Sequence, residues 1–204
     1  MPARRIGVLG GTFDPIHRGH LVVADEAARR LSLDVVVLAP SGESWHKETS
    51  AGARSTDRLA MVQAAIAGDP RLRASSVDID RGGPTFTVDT LEDLQAEDAR
   101  LHPGDPAQWV FIAGADALAG LASWRDPEGI LARAEVVAVT RPGHPLQVPE
   151  PFAARVTCLE IPALDISSSE IRRRVAAGEP IDDVVPAGVA RIIAERGLYA
   201  AAAP

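Results

Sequence analysis

Short β-branched runs alternate with amphipathic stretches along most of this chain, and few folds accommodate that rhythm. It begins with the apolar run Ile6-Gly7-Val8-Leu9, continues with Leu21, Ala24, Ala28 and Leu31 at helical spacing, and returns to an apolar run over 34–39. That is a βαβ unit. The pattern then predicts a helix over 57–67, a short strand over 76–79, a helix over 88–97 and a strand over 109–113. A helix over 127–133 and strands over 136–140 and 156–161 follow, then helices over 169–177 and 187–195, stopped by Gly178 and Gly197. Strands separated by helices run parallel and are covered on both faces, so the fold class is α/β with a doubly wound parallel sheet. In such sheets ligands bind beyond the carboxyl ends of the strands, where strand order reverses. Function is therefore sought in the loops that follow strands.

With 204 residues, 46% of them hydrophobic and 24% charged, the chain is expected to form one domain over 1–204 around a single sizeable core. Residues 99–106 and 143–151 are expected as surface loops, and 200–204 as a disordered tail. No apolar stretch approaches the roughly 18 to 20 residues that span a bilayer. The basic start reaches Gly7 too soon for an export signal, so a cytoplasmic protein without membrane contact is expected. The single cysteine, Cys158, lies in an apolar run and reads as a small buried hydrophobe rather than a nucleophile. A formal net charge of −7 argues against a nucleic-acid surface, which needs a basic face. A small anion needs only a local cluster of donors, and residues 17–20, 46–47 and 172–174 each offer one.

The segment Gly10-Gly11-Thr12-Phe13-Asp14-Pro15-Ile16-His17-Arg18-Gly19-His20 follows the first strand and leads into a helix expected to start near His20. Adjacent glycines let backbone amides approach an anion, and a helix N-terminus adds a partial positive charge of about half a unit. His17 and His20, three apart, can reach the same phosphates. A bare Gly-Gly pair would be an ordinary turn, but the full string carries more than that. Glycines at 7, 10, 11 and 19 do not fit G-x-G-x-x-G, and no Gly-Lys-Ser/Thr is present. A zinc site on His17 and His20 lacks further Cys or His ligands, so no metal held by the protein itself is expected.

A second segment, Ile166-Ser167-Ser168-Ser169-Glu170-Ile171-Arg172, has the S-x-x-E spacing of a capping box and should start a helix with outward-facing amides. Consecutive helical residues lie about 100° apart, so only one of Arg172, Arg173 and Arg174 can point at a ligand. Trp109 and Phe111, in an apolar strand, read as core. Trp124 lies in the polar turn Ala122-Ser123-Trp124-Arg125-Asp126 and reads as an exposed ring suited to stacking on a pyridine or purine. Asp116, just after the fourth predicted strand, is placed either for ribose hydroxyls or as a helix cap.

Residues 10–20 are similar to the T/HxGH motif of the nucleotidyltransferase superfamily, and residues 166–172 to its ISSTxxR motif. The stretch Arg81-Gly82-Gly83-Pro84-Thr85-Phe86-Thr87-Val88-Asp89-Thr90-Leu91 resembles the Gly-Pro-Ser-Tyr-Thr-x-Asp-Thr-Leu segment of bacterial nicotinate mononucleotide adenylyltransferases. Phe86 stands where tyrosine is usual, which keeps a stacking face and drops a hydroxyl. Gly114-Ala115-Asp116, Trp124, Arg141-Pro142-Gly143 and the run over 185–199 extend the resemblance over nearly the whole chain. Ser44-Trp45-His46-Lys47 departs from the Pro-Pro-His-Lys of many relatives while keeping His46 and Lys47.

The resemblance implies a Rossmann-like nucleotidyltransferase fold and an enzyme of NAD biosynthesis. The implied reaction moves AMP from ATP onto nicotinate mononucleotide and yields nicotinate adenine dinucleotide and pyrophosphate. Catalytic roles are implied for His17, His20, Lys47 and Arg172. ATP contacts are implied for Gly10, Gly11, Thr12, Phe13, His20, Gly114, Asp116, Ile166, Ser167, Ser168 and Arg172. Acceptor contacts are implied for Asp14, His46, Thr85, Phe86, Thr87, Trp124 and Arg141, with Arg173 and Arg174 left to solvent. No triad, Schiff-base lysine or catalytic cysteine stands out, so a direct in-line displacement is expected, governed by positioning and charge neutralisation. Mg²⁺ is expected to ride on substrate phosphates and water. The implied partners are small molecules, with a homo-oligomer left open. Two alternatives stand beside this reading: another acceptor, namely nicotinamide mononucleotide, pantetheine phosphate or FMN, or a non-catalytic nucleotide sensor.

Overall fold

The computed structural model describes residues 3–42, 52–140, 147–162 and 164–201. The first βαβ unit comprises β1 (Arg5–Gly11), α1 (Arg18–Arg30) and β2 (Val35–Pro40). Then come α2 (Ser55–Ala65), β3 (Leu72–Ala74), α3 (Val77–Arg81), α4 (Thr87–Leu101) and β4 (Gln108–Gly114). After β4 lie α5 (Ala115–Leu118), a 3₁₀ turn (Leu121–Ser123), α6 (Pro127–Arg133) and β5 (Glu135–Thr140). A second 3₁₀ turn (Ala153–Arg155) precedes β6 (Val156–Glu160), α7 (Ser168–Ala176) and α8 (Ala187–Glu195). Every strand pairing is parallel, in the order β3-β2-β1-β4-β5-β6. This is the doubly wound parallel sheet the alternation predicts, in the Rossmann-like form the resemblance implies. Strand order reverses between β1 and β4, where Leu9 stands opposite Ile112. The crevice therefore opens at the carboxyl ends of those two strands, where the 10–20 loop and residues 114–116 begin.

Side chains alternate across the sheet with period two, so each face has its own core. Val36, Leu38, Val110, Ile112 and Val137 pack with Ala24 and Ala27 of α1, Met61 of α2, Ile171 of α7 and Val189 of α8. Ile6, Val8, Val37, Phe111 and Val136 face the other way, against Val88, Leu91 and Leu94 of α4 and Ile130 of α6. Each Val, Leu, Ile, Met or Phe side chain among them contributes about 1.5–3 kcal/mol when fully buried. At Gly7 a Cβ would lie 2.6 Å from Leu33 Cδ1 and 3.1 Å from Ile112 Cδ1, so close packing there requires the missing side chain. On α2, α8 seats closely enough that a Cβ on Gly188 would stand 3.2 Å from Ala64 Cβ. Gly178 and Gly197 follow α7 and α8 with φ of 69° and 58°, as helix stops do.

The structure corrects several local expectations. The strand expected over 76–79 lies earlier, at β3, which pairs with Val36, Val37 and Leu38. Residues Val77–Arg81 instead coil into one helical turn. Val77 and Ile79 alternate with Asp78 and Asp80 as in a strand, but buried Asp78 accepts from Thr90 Oγ1 at 2.7 Å and pairs with Arg81 three residues on. That i,i+3 pair closes on a helical turn and not on an extended chain. Residues expected in the 99–106 loop continue α4 as far as Leu101. Cys158 is exposed, because β6 is an edge strand with an open face. Residues 143–146 and 202–204 lie outside the described residues. No helix among the described residues is long and apolar enough to cross a membrane.

Candidate active site

His17 is the N-cap of α1, so the helix starts earlier than expected and His20 falls at its third position. The His17 main-chain N–H donates to His20 Nδ1 at 3.2 Å, and the two rings stack with centroids 3.8 Å apart. A neutral imidazole that accepts at Nδ1 carries its proton on Nε2, which makes that atom the donor of His20. Phe13 meets His20 edge-on at 5.0 Å. Its side chain is buried with φ of 49°, so the ring props the histidine and leaves only its main chain for a ligand. Burial pushes His17 down to about 4. Burial, with His17 alongside, pushes His20 down to about 3. Near neutral pH both rings are uncharged hydrogen-bonding groups, not resident cations.

Side chains from distant helices hold the main-chain oxygens of this loop. Arg58 Nη1 donates to Thr12 O at 2.7 Å, and its Nη2 to Ser41 O at 2.7 Å and Gly42 O at 2.6 Å. Arg172 Nη1 donates to Asp14 O at 2.6 Å, and Ser168 Oγ to Pro15 O at 2.9 Å. Tyr199 OH at 2.6 Å and the Ala53 N–H at 3.0 Å both donate to Asp14 Oδ1. A carbonyl oxygen engaged by a donor opposes an approaching phosphate less than a free one does. Asp14, read from sequence as an acceptor contact, thus has its carboxylate engaged as an anchor.

The second motif meets the first through these bonds. Ser167 caps α7 and accepts from the Glu170 N–H at 3.1 Å, as its spacing predicts. Ile171 is buried beneath, and Arg172 is turned to the loop. Arg173 pairs with Glu170 and Glu179, and Arg174 with Glu170 and Asp183, at the surface. Such exposed pairs contribute little. Ile166 approaches the start of α1, its Cβ 3.9 Å from where a Cβ on Gly19 would stand.

On the acceptor side, the Gly42 N–H donates to Thr85 Oγ1 at 2.9 Å. A Cβ on Gly42 would lie 2.6 Å from Asp78 O, so the chain leaving β2 is drawn against the segment before α4. Phe86 is the N-cap of α4 with the Arg125 guanidinium 4.8 Å from its ring centroid, and Thr87 is the first residue of that helix. Trp124 is half-buried rather than freely exposed, edge-on to Phe111 at 6.1 Å. Phe111 also approaches Gly10, whose Cβ would stand 3.6 Å from its ring. Gly114 and Asp116 are exposed at the end of β4, Gly114 as N-cap of α5 and Asp116 in its first turn.

His46, Lys47 and Arg141 lie outside the described residues. Among the described residues no three His, Cys, Asp or Glu side chains converge as a chelating set. Sequence reading overlooked Arg58 and Tyr199. Arg58 had a signal: it shares a helical stripe with Met61 and Val62, and a charge on an apolar face must find partners there.

The family model described as Cytidylyltransferase-like matches residues 8–174. A protein of Acidothermus cellulolyticus named "Probable nicotinate-nucleotide adenylyltransferase" is 50% identical over 196 residues, 96% of this chain and 94% of that one. A protein of the same name from Streptomyces coelicolor is 48% identical over 191 residues, 94% of this chain and 98% of that one. Among solved structures, Plasmodium falciparum nicotinic acid mononucleotide adenylyltransferase complexed with NaAD superposes with a TM-score of 0.73 at 20% identity, covering 96% of this chain and 97% of that one.

Proposed function

The chain belongs to the cytidylyltransferase-like family and, within it, to the nicotinate-nucleotide adenylyltransferases, and on that premise we propose that it joins ATP and nicotinate mononucleotide into nicotinate adenine dinucleotide with release of pyrophosphate. The observation that carries the reading is the docking of Ser168 and Arg172 onto the carbonyls of Pro15 and Asp14. Two motifs some 150 residues apart in the chain thereby form one anion-binding corner at the point where strand order reverses. The relatives at 50% and 48% identity supply the acceptor class. The neighbour complexed with NaAD supports the fold alone, at 20% identity.

In this reaction an oxygen of the mononucleotide 5′-phosphate forms a bond to the α-phosphorus of ATP while the bond to the bridging oxygen breaks. The acceptor phosphate is already anionic, so no strong base is needed, and the chain's task is to align two anions and absorb charge. The Gly11 and Thr12 amides and His20 Nε2–H would hold the α-phosphate. Arg172, Ser168, His17 and Lys47 would restrain the remaining phosphates. Phe86, Thr87 and Trp124 would bound the pyridine ring. Mg²⁺ would enter on the triphosphate, held by phosphate oxygens and water, and neutralise the departing pyrophosphate. A corner built of neutral imidazoles, amides and arginine fits a metal carried in by substrate rather than one caged by carboxylates.

Pyrophosphate release from ATP, with nicotinate mononucleotide, nicotinamide mononucleotide, FMN and pantetheine phosphate offered separately, tests the proposal. Fastest turnover with a pyridine mononucleotide is expected. Faster use of FMN or pantetheine phosphate contradicts it, and ATP binding without pyrophosphate release with any acceptor would favour a sensor.

A further inference from the structure

We propose that Arg58 is a positioning residue for adenylyl transfer, its buried guanidinium holding the loop after β1 and the loop after β2 in one frame; this rests on the function proposed above. Arg58 is 4% exposed, and its acceptors are carbonyls of two separate loops, Thr12 on one and Ser41 and Gly42 on the other. No carboxylate pairs with it among the described residues. A residue that only filled this stripe of α2 would be apolar like its neighbours Met61 and Val62, since a buried cation is costly to desolvate. The two loops carry different substrates. Thr12 follows Gly11 in the loop proposed to hold ATP phosphates, while Gly42 is bonded to Thr85 on the acceptor side. One planar fork thus fixes the spacing between the two binding segments, and in-line displacement depends on that spacing. A displacement of about 1 Å costs on the order of 100-fold in rate. Lysine cannot replace the fork, because a compact ammonium cannot span carbonyls on both loops at once.

The test uses the full chain as Arg58→Lys and Arg58→Ala, with thermal unfolding, steady-state kinetics in ATP and nicotinate mononucleotide with Mg²⁺, and calorimetric binding of a non-hydrolysable ATP analogue. The expected result is folded protein with kcat/KM reduced about 100-fold for both substrates and KM raised for both. Added guanidinium ion, but not urea, should partly restore Arg58→Ala. Wild-type kcat and KM in Arg58→Lys overturn the proposal, as does a loss that follows the folded fraction alone with KM unchanged. If Arg58→Ala does not fold, Arg58→Lys decides on the same criteria. If the wild-type chain forms no dinucleotide, the functional reading fails instead. The adenylyl-transfer role then falls with it, and analogue binding judges only the holding of the two loops: weakening of about tenfold in Arg58→Lys upholds that part, and unchanged affinity overturns it.

Discussion

His17 and His20 show how a residue's place in the fold sets its chemistry. Stacked at the start of α1 and depressed to about 4 and 3, they stand neutral near pH 7, and in the proposed reaction they would act as hydrogen-bonding groups where charge develops. Replacing His20 with Ala should leave the fold intact and lower kcat by roughly two to three orders of magnitude, the scale for losing one preorganised transition-state donor. Steady-state kinetics with circular dichroism checks this, and near wild-type kcat would remove His20 from the mechanism. The same depressed values bear on stability. An unfolded chain protonates its histidines as pH falls below about 6.5, while the folded chain holds these two neutral to about 4 and 3. The unfolded state therefore binds more protons, and the stability present above pH 6.5 declines as pH falls toward 4. His17→Asn keeps a good helix cap and should flatten the fall in melting temperature between pH 6.5 and 5; an unchanged slope would contradict the buried-neutral assignment. Sequence singled out both histidines because they sit in a long, unusual string, and the structure brings their rings together. Asp14 was legible only as part of that string, since its engagement by Tyr199 spans 185 residues that local pattern cannot see.

Helix α7 presents its arginines on different faces, and the structure assigns each face a partner. Arg172 reaches Asp14 O, whereas Arg174 joins Glu170 and Asp183 at the surface. Arg172→Ala should therefore lower kcat/KM for ATP far more than Arg174→Ala does. Equal losses for the two variants would contradict this division of the helix. Ser167 was legible as a cap because its partner is three residues away. The turn at α3 was not, because the alternation of Val77 and Ile79 mimics a strand, while Asp78, which pairs with Arg81 on the turn, is buried and bonded to Thr90 on another helix. Cys158 was misjudged for a related reason, as an apolar run does not reveal that its strand lies at the edge of the sheet. Elements with clear periodicity and local caps read well. Those fixed by long-range polar contacts or by position in the sheet did not.

Across the whole molecule, one sheet brings the corner at β1 and α7, proposed to hold ATP, beside the chain after β2 and the start of α4, proposed to hold the acceptor. Arg58 and the Gly42–Thr85 bond join the two halves. In the proposed reaction this crevice selects the acid form of the pyridine mononucleotide. Backbone amides at the start of α4, around Phe86 and Thr87, suit a ring carboxylate as donors. An amide NH₂ in its place would leave donors facing a donor, at about 1–3 kcal/mol per buried unpaired group. Competition kinetics with nicotinate and nicotinamide mononucleotides at fixed ATP and Mg²⁺ tests this most directly. A preference for nicotinate mononucleotide of at least about tenfold in kcat/KM is expected, and equal use of the two would overturn acid selectivity.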